Sequence, residues 1–305
     1  MATPSTDPTP ALRRDLAPTR VDGPALQRHL RRAGTAWLHE EVARRMAERL
    51  GLLRRPPRRI LDWASDSITN QGASQALLRQ HCPQAERVAL DAEGHPLPAA
   101  GAGGWLKRLF SPAAPATPGA APAPGDLLWA NMALHWADDL PALLQRWHAA
   151  LQVEGLLMFS CFGPDTLREL RSLYTRAGWG SPASAWIDMH DLGDALIHAG
   201  FADPVMDMET LTLTWDSPAA LLAELRTLGT NTDPARHAGL RTPRWRQRLE
   251  QALADGLRGP DGRLHLTFEL IYGHALKPEP RVPVAAETSI SLEAMRGMTR
   301  RRTNR

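Results

Sequence analysis

Two short apolar runs that close on polar residues, Asp126-Leu127-Leu128-Trp129-Ala130-Asn131 and GLLMFSCF at 155–162, bracket a stretch of helical periodicity. Runs of this kind read as parallel strands buried on both faces. Between them Asp138 and Asp139 offer N-terminal caps, and Pro141 suits a first helical turn. Leu143, Leu144, Trp147, His148 and Leu151 recur at helical spacing. The pattern predicts a β-α-β unit with a right-handed crossover, hence an open α/β sheet. Ligands of such sheets sit beyond the carboxyl ends of the strands, here 131–136 and 162–168.

The same reading extends along the chain. Residues 1–23, rich in Pro, Thr and Asp without a period, are expected to be a disordered tail, and 278–305 a disordered basic one. Between them 24–277 should form one domain. It opens with a helical segment at 26–53, where Trp37, Leu38, Val42, Met46, Leu50 and Leu53 face away from a charged side. Of these, Trp37 is expected in the core. Strands follow at 59–63 and 87–91, with a helix at 72–82 between them. Residues 92–125 dissolve into Pro, Ala and Gly, which predicts a flexible loop holding at most a short helix at 103–110. Downstream the pattern predicts helices at 164–177, 190–199 and 218–228, a strand at 205–215, and a last strand at 265–277. A polar, Arg-rich helical insertion occupies 231–263, with its helix at 245–257.

Composition narrows the function. The 305 residues are 43% hydrophobic, enough for a real core, and no apolar run approaches the roughly 18 residues that cross a bilayer. No leader pattern opens the chain, so a cytoplasmic protein is expected. Lys107 and Lys277 are the only lysines, leaving arginine to carry the positive charge. Those arginines are scattered among acids, the net charge is only +3, and no aromatic-interleaved signature accompanies them. Nucleic acid is therefore not expected as a partner, and an acidic protein partner fits better. Cys82 and Cys161 form no CxxC pattern, and His190, His198 and His274 lack ligand spacing. Neither a disulfide framework nor a metal site is expected.

Four segments then carry a resemblance: Asp126-Leu127 with Asn131-Met132-Ala133-Leu134-His135-Trp136, Phe159-Ser160-Cys161-Phe162-Gly163-Pro164-Asp165-Thr166-Leu167, Asp188-Met189-His190-Asp191-Leu192-Gly193-Asp194, and Tyr272-Gly273-His274. In this order the chain resembles the class I S-adenosylmethionine-dependent methyltransferases, and within them the malonyl-ACP O-methyltransferase family of biotin synthesis. The resemblance implies a Rossmann-like fold with a mostly parallel sheet, one antiparallel strand and helices on both faces. It implies S-adenosylmethionine as cofactor, with Asp62, Asp91, Asn131, Met132 and His135 on the cofactor side. The acceptor would be an acyl carrier protein or a small carboxylate, handled by His135, Arg168 and Arg171 and taken by a monomer. Arginine suits that task because its planar fork binds a carboxylate bidentately. Trp37, near the segment that covers the cofactor in this family, is the alternative candidate for a lid.

One segment departs from the family. Where its members carry a glycine-rich turn after the first strand, this chain reads Asp62-Trp63-Ala64-Ser65-Asp66-Ser67-Ile68-Thr69-Asn70-Gln71-Gly72, placing Ala64, Asp66 and Ile68 at the glycine positions. Side chains there should fill cofactor space, and a β-branched residue is poor in a left-handed turn. The alternative function is therefore a catalytically inactive relative acting as a binding or regulatory module.

Overall fold

The computed structural model describes residues 21–30, 36–64, 73–97, 123–229, 231–237 and 239–280. The greater part of the expected tails, of the Pro/Ala/Gly loop and of the glycine-poor turn lies outside the described residues, as does the short helix expected at 103–110.

Chain order among the described residues runs α1 (Gly23–Leu30), α2 (Trp37–Glu48), β1 (Arg59–Trp63), α3 (Ala73–His81), β2 (Glu86–Leu90), β3 (Gly125–Ala130), α4 (Leu140–Ala150), β4 (Leu151–Phe162), α5 (Arg168–Ala177), α6 (Met189–His198), β5 (Ala202–Trp215), α7 (Pro218–Leu228), α8 (Pro243–Gly256) and β6 (Leu264–Leu276). The six strands form one sheet in the order β2-β1-β3-β4-β6-β5. All are parallel except β6, which slots antiparallel between β4 and β5. This is the expected Rossmann-like architecture.

Alternation along the strands sorts side chains into two cores. Leu127 and Trp129 of β3 face the layer built from Leu38, Val42 and Met46 of α2, Leu78 of α3, Leu170 and Leu173 of α5, and Leu249 and Leu253 of α8. Leu128 and Ala130 face Leu143, Leu144 and Trp147 of α4 and Leu192 and Leu196 of α6. Trp129 and Trp147 are fully buried, and truncating such a residue to alanine costs about 3 to 5 kcal/mol. Helix α4 begins as its sequence dictates: the Asp139 side chain accepts from the Ala142 N–H at 2.9 Å, with proline in the first turn. Asp188 caps α6 in the same way, accepting from the His190 N–H at 2.8 Å.

Two expectations need correction. Trp37 is 45% exposed while its neighbour Leu38 is fully buried. The buried stripe of α2 runs Leu38, Val42, Met46, and a residue one position off that stripe is turned about 100° away, so Trp37 is no core residue. Helix α5 starts at Arg168, four residues later than expected. Leu167 takes a left-handed φ of 60°, and its N–H donates to the Thr267 carbonyl at 2.7 Å. Residues 164–167 are thus bonded to β6, which no local signal announces.

Helix α2 is fastened to the far edge of the sheet. Arg49 pairs with Asp207 at 2.5 Å, and Arg45 pairs with Glu209 and, at 2.7 Å, with Glu41. The guanidinium of Arg44, then that of Arg45, pulls the Glu41 carboxyl down to about 2.

Candidate active site

The cavity lies beyond the carboxyl ends of β3 and β4. At the end of β3 the chain leaves the strand through Asn131 and Met132, the latter at a φ of 51°. Asn131 is fully buried. Its Nδ2 donates to the His39 carbonyl of α2 at 3.0 Å, and its Oδ1 accepts from the Ser160 hydroxyl of β4 at 2.8 Å. Ser160 Oγ accepts in turn from the Met132 N–H at 3.0 Å. One side chain therefore knits the helix over the site, the exit of β3 and the core of β4, which explains why a polar residue ends this apolar run.

Beyond it, a short 3₁₀ turn (Leu134–Trp136) presents His135. Its ring lies 4.8 Å from both the Trp136 and the Phe162 rings and 6.5 Å from that of His39. His135 is 7% exposed, and neither ring nitrogen has a hydrogen-bond partner among the described residues. Burial first, and the nearby His39 second, push its pKa well below the usual histidine value. A neutral imidazole with both nitrogens unengaged is costly inside a core. It borders a cavity of about 340 Å³, walled by Trp136, Phe162, Leu170, Trp186, Leu225 and Phe268, with Thr166, Tyr174, Ser184, Asn231 and Thr232 supplying polar groups and Arg226 the charged one.

The floor of the cavity is the turn from β4 to α5, and Glu269 of β6 holds it. Glu269 is 5% exposed, and its carboxylate accepts from the Asp165 N–H at 2.6 Å. Its carbonyl accepts from the Gly163 N–H and the Thr166 hydroxyl, both at 2.9 Å, and its own N–H donates to Thr166 Oγ1 at 3.0 Å. Glu169 adds a second strap, its carboxylate accepting from both the N–H (3.0 Å) and the hydroxyl (2.5 Å) of Thr267. Sequence reasoning missed Glu269, although the lone carboxylate of a largely apolar strand was the available signal. It also missed Arg226.

The other expected residues are dispersed. Asp62 is buried at the end of β1. Asp91 follows β2 and serves its own turn: Oδ1 accepts from the N–H groups of Glu93 (3.0 Å) and His95 (2.8 Å), while Oδ2 lies 3.3 Å from the His95 ring. Arg168 is exposed and pairs with Asp165 at 3.3 Å and Glu169 at 3.2 Å. Arg171 donates to the carbonyls of Thr166, Ala183 and Ser184 at 3.2, 3.1 and 2.5 Å, its guanidinium 4.7 Å from the Trp186 ring centre. Only His135 of the expected set lines the cavity. Arg171 supports its wall from behind. Among the described residues no cluster could hold a metal ion, and no helix is long and apolar enough to cross a membrane.

A mostly parallel sheet with a cavity beyond the carboxyl ends of its central strands defines a Rossmann-like protein with its ligand site in the usual place. The chain is 41% identical over 258 residues to the malonyl-[acyl-carrier protein] O-methyltransferase of Laribacter hongkongensis, covering 81% of this chain and 84% of that protein. It is 40% identical over 278 residues to the protein of the same name from Gallionella capsiferriformans, covering 86% and 93%. No family model matches. Among solved structures, the 1,6-didemethyltoxoflavin-N1-methyltransferase of Burkholderia thailandensis superposes with a TM-score of 0.40 at 19% identity, covering 80% of this chain and 81% of that one. The chain belongs to the malonyl-[acyl-carrier protein] O-methyltransferase family. These relatives are named as enzymes, and nothing among them favours the inactive alternative.

Proposed function

We propose that this protein methylates the free carboxylate of a malonyl group borne as a thioester on acyl carrier protein, using S-adenosylmethionine, as a step of biotin synthesis in the cytoplasm. Family membership supports the reaction. The observation that carries the site assignment is the cavity beside His135, lined mainly by aromatic and aliphatic side chains and lying at the carboxyl ends of β3 and β4.

The described residues fit the cofactor. Ala64, at the first of the glycine positions, holds a φ of 55°, the left-handed geometry a glycine would supply. It is 1% exposed, and its methyl packs into the core with Leu61, Leu90 and Trp147, so it does not obstruct the crevice. Asp62, Asp91, Asn131 and Met132, at the carboxyl ends of β1, β2 and β3, are the residues that would hold the cofactor.

Bound S-adenosylmethionine supplies a methyl carbon on a cationic sulfur, which a malonyl carboxylate oxygen takes by in-line displacement as the carbon–sulfur bond breaks. A carboxylate is already nucleophilic at neutral pH, so the protein needs no general base and contributes alignment and desolvation. Phe162, Trp136 and Phe268 exclude water. His135, kept neutral by burial, donates a hydrogen bond that orients the acceptor without placing positive charge beside a sulfonium. Arg226, exposed at the mouth, draws in the anionic malonyl group, the task the sequence reading gave to Arg168 and Arg171. Residues 24–277 act as one monomeric domain.

The test is direct. Purified protein with S-adenosylmethionine and malonyl-acyl carrier protein should yield the methyl ester by intact-protein mass spectrometry, and the gene should restore biotin-independent growth to a bacterium lacking its own enzyme. Absence of ester together with no cofactor binding at millimolar concentration overturns the reading.

A further inference from the structure

We infer that the arginine face of α8 and the loop before it, beside the cavity mouth, is the docking surface for an acidic carrier-protein helix; this rests on the proposed function. Residues 234–249, PARHAGLRTPRWRQRL, hold five arginines and no acid, as does the stretch 49–61 at the amino end of β1, which serves as the control below. Three of the five are engaged. Arg236 pairs with Asp22, and Arg246 with Glu250 at 2.8 Å. Arg241 donates to the Trp179 carbonyl at 2.8 Å and stacks 4.3 Å over the Trp245 ring.

Arg244 and Arg248 are different. Both are exposed, neither has an ion pair among the described residues, and their spacing of four puts them on one outer face of α8, opposite the buried Leu249 and Leu253. Like charges at this spacing repel each other, and they stand in the first turns of a helix with no acid in its first turn, where the helix dipole also disfavours cations. The fold gains nothing from this arrangement, whereas an anionic partner relieves it. Leu240, fully exposed just before Arg241, adds an apolar knob. Basic side chains around an apolar contact complement an acidic amphipathic helix.

The face is coupled to the cavity by packed rings. Tyr174 lines the cavity, Trp179 lies 5.5 Å from Tyr174, and Trp245 of α8 lies 5.7 Å from Trp179. Helix α8 also packs on α7, which carries Arg226 to the mouth. A carrier seated here directs its thioester-bearing arm toward Arg226.

The experiment measures binding of purified holo acyl carrier protein to the full chain by calorimetry at two salt concentrations, alongside methylation of malonyl-pantetheine, which has no protein part. The double variant Arg244→Glu with Arg248→Glu should weaken carrier binding at least tenfold and flatten its salt dependence, with methylation of malonyl-pantetheine unchanged. Arg54→Glu with Arg55→Glu, exposed arginines preceding β1 at the opposite end of the sheet, should leave carrier binding as it was. The proposal is overturned if the α8 variant binds carrier like wild type, if both double variants weaken it equally, or if the α8 variant loses malonyl-pantetheine methylation as well. Should the wild type bind carrier in this charge-dependent way yet methylate neither substrate, the proposed reaction fails and the docking surface stands.

Discussion

The two ends of the crevice are secured by opposite means. At the β1–β2 end the side-chain fastening is local: Asp91 bonds residues two and four places on, while a single backbone bond, from the Ala64 N–H to the Leu90 carbonyl at 2.9 Å, joins the ends of the two neighbouring strands. At the β4–β6 end the main straps are long-range, with Glu269 and Thr267 holding a turn about 100 residues earlier in the chain. A locally held end can be redrawn by substitution while the rest of the sheet stands, and this is where the chain departs from the glycine-rich pattern. An end held across the sheet cannot be altered without loosening the cavity.

The sharpest test of that contrast is Glu269→Ala. It removes the acceptor of the Asp165 N–H and leaves a void, so stability in urea should fall by about 2 to 4 kcal/mol, with methyl transfer falling too; a loss below 1 kcal/mol would show the turn stands without its strap. Asn131→Ala should cost about 2 to 3 kcal/mol by the same measurement, because the Ser160 hydroxyl and His39 carbonyl lose their partner inside the core. A fall in cofactor affinity at unchanged stability would instead make Asn131 a direct ligand.

The acceptor end should also respond to pH. His135 has a depressed pKa in the folded protein, so below the unfolded value of roughly 6.5 the unfolded chain binds the proton and the native one does not. Stability is complete above that value and declines as pH falls, with a slope of up to about 1.4 kcal/mol per pH unit from this residue. His148 and His274, also depressed by burial, add to it. His135→Gln should flatten the slope measurably, and an unchanged slope would place the proton elsewhere.

Smaller effects probe the local end. Ala64→Gly relieves a left-handed alanine while loosening the unfolded chain, for a net gain of about 0.5 to 1 kcal/mol; destabilisation on thermal unfolding would mean the buried methyl matters more than the backbone. Arg168→Ala should leave both stability and methylation essentially unchanged, as the loss of an exposed ion pair does. A large loss in methylation would return Arg168 to the acceptor site.

Legibility from sequence followed the same divide. The β3-α4-β4 unit could be read because its evidence is contiguous: apolar runs, Asp139 as cap, Pro141 in the first turn. The start of α5 could not, since Pro164 and Asp165 look like helix-entry residues and only β6 shows that they belong to a turn. His135 could be singled out because a histidine beside a strand's carboxyl end is conspicuous, and it does border the cavity. Arg226 stayed hidden because an arginine on an amphipathic helix looks like any solvated one, and what sets it apart is the cavity it borders. Trp37 misled for a related reason: hydrophobicity placed it in a helix, while its phase, one residue off the stripe, decided its exposure.

The position of β6 bears on how the molecule comes into being. The last strand among the described residues is not at the edge of the sheet but inside it, separating β4 from β5. Until the ribosome has released Leu264–Leu276, β4 and β5 each present an unpaired row of amides, separated by a gap that no other strand among the described residues fills. Closing the roughly 50-residue excursion from β5 to β6 costs on the order of 3 to 4 kcal/mol of chain entropy, recovered only when both ladders zip at once. Synthesis arrested before that strand would leave two sticky borders and a half-built pocket, a substrate for chaperones and proteases rather than a weaker enzyme.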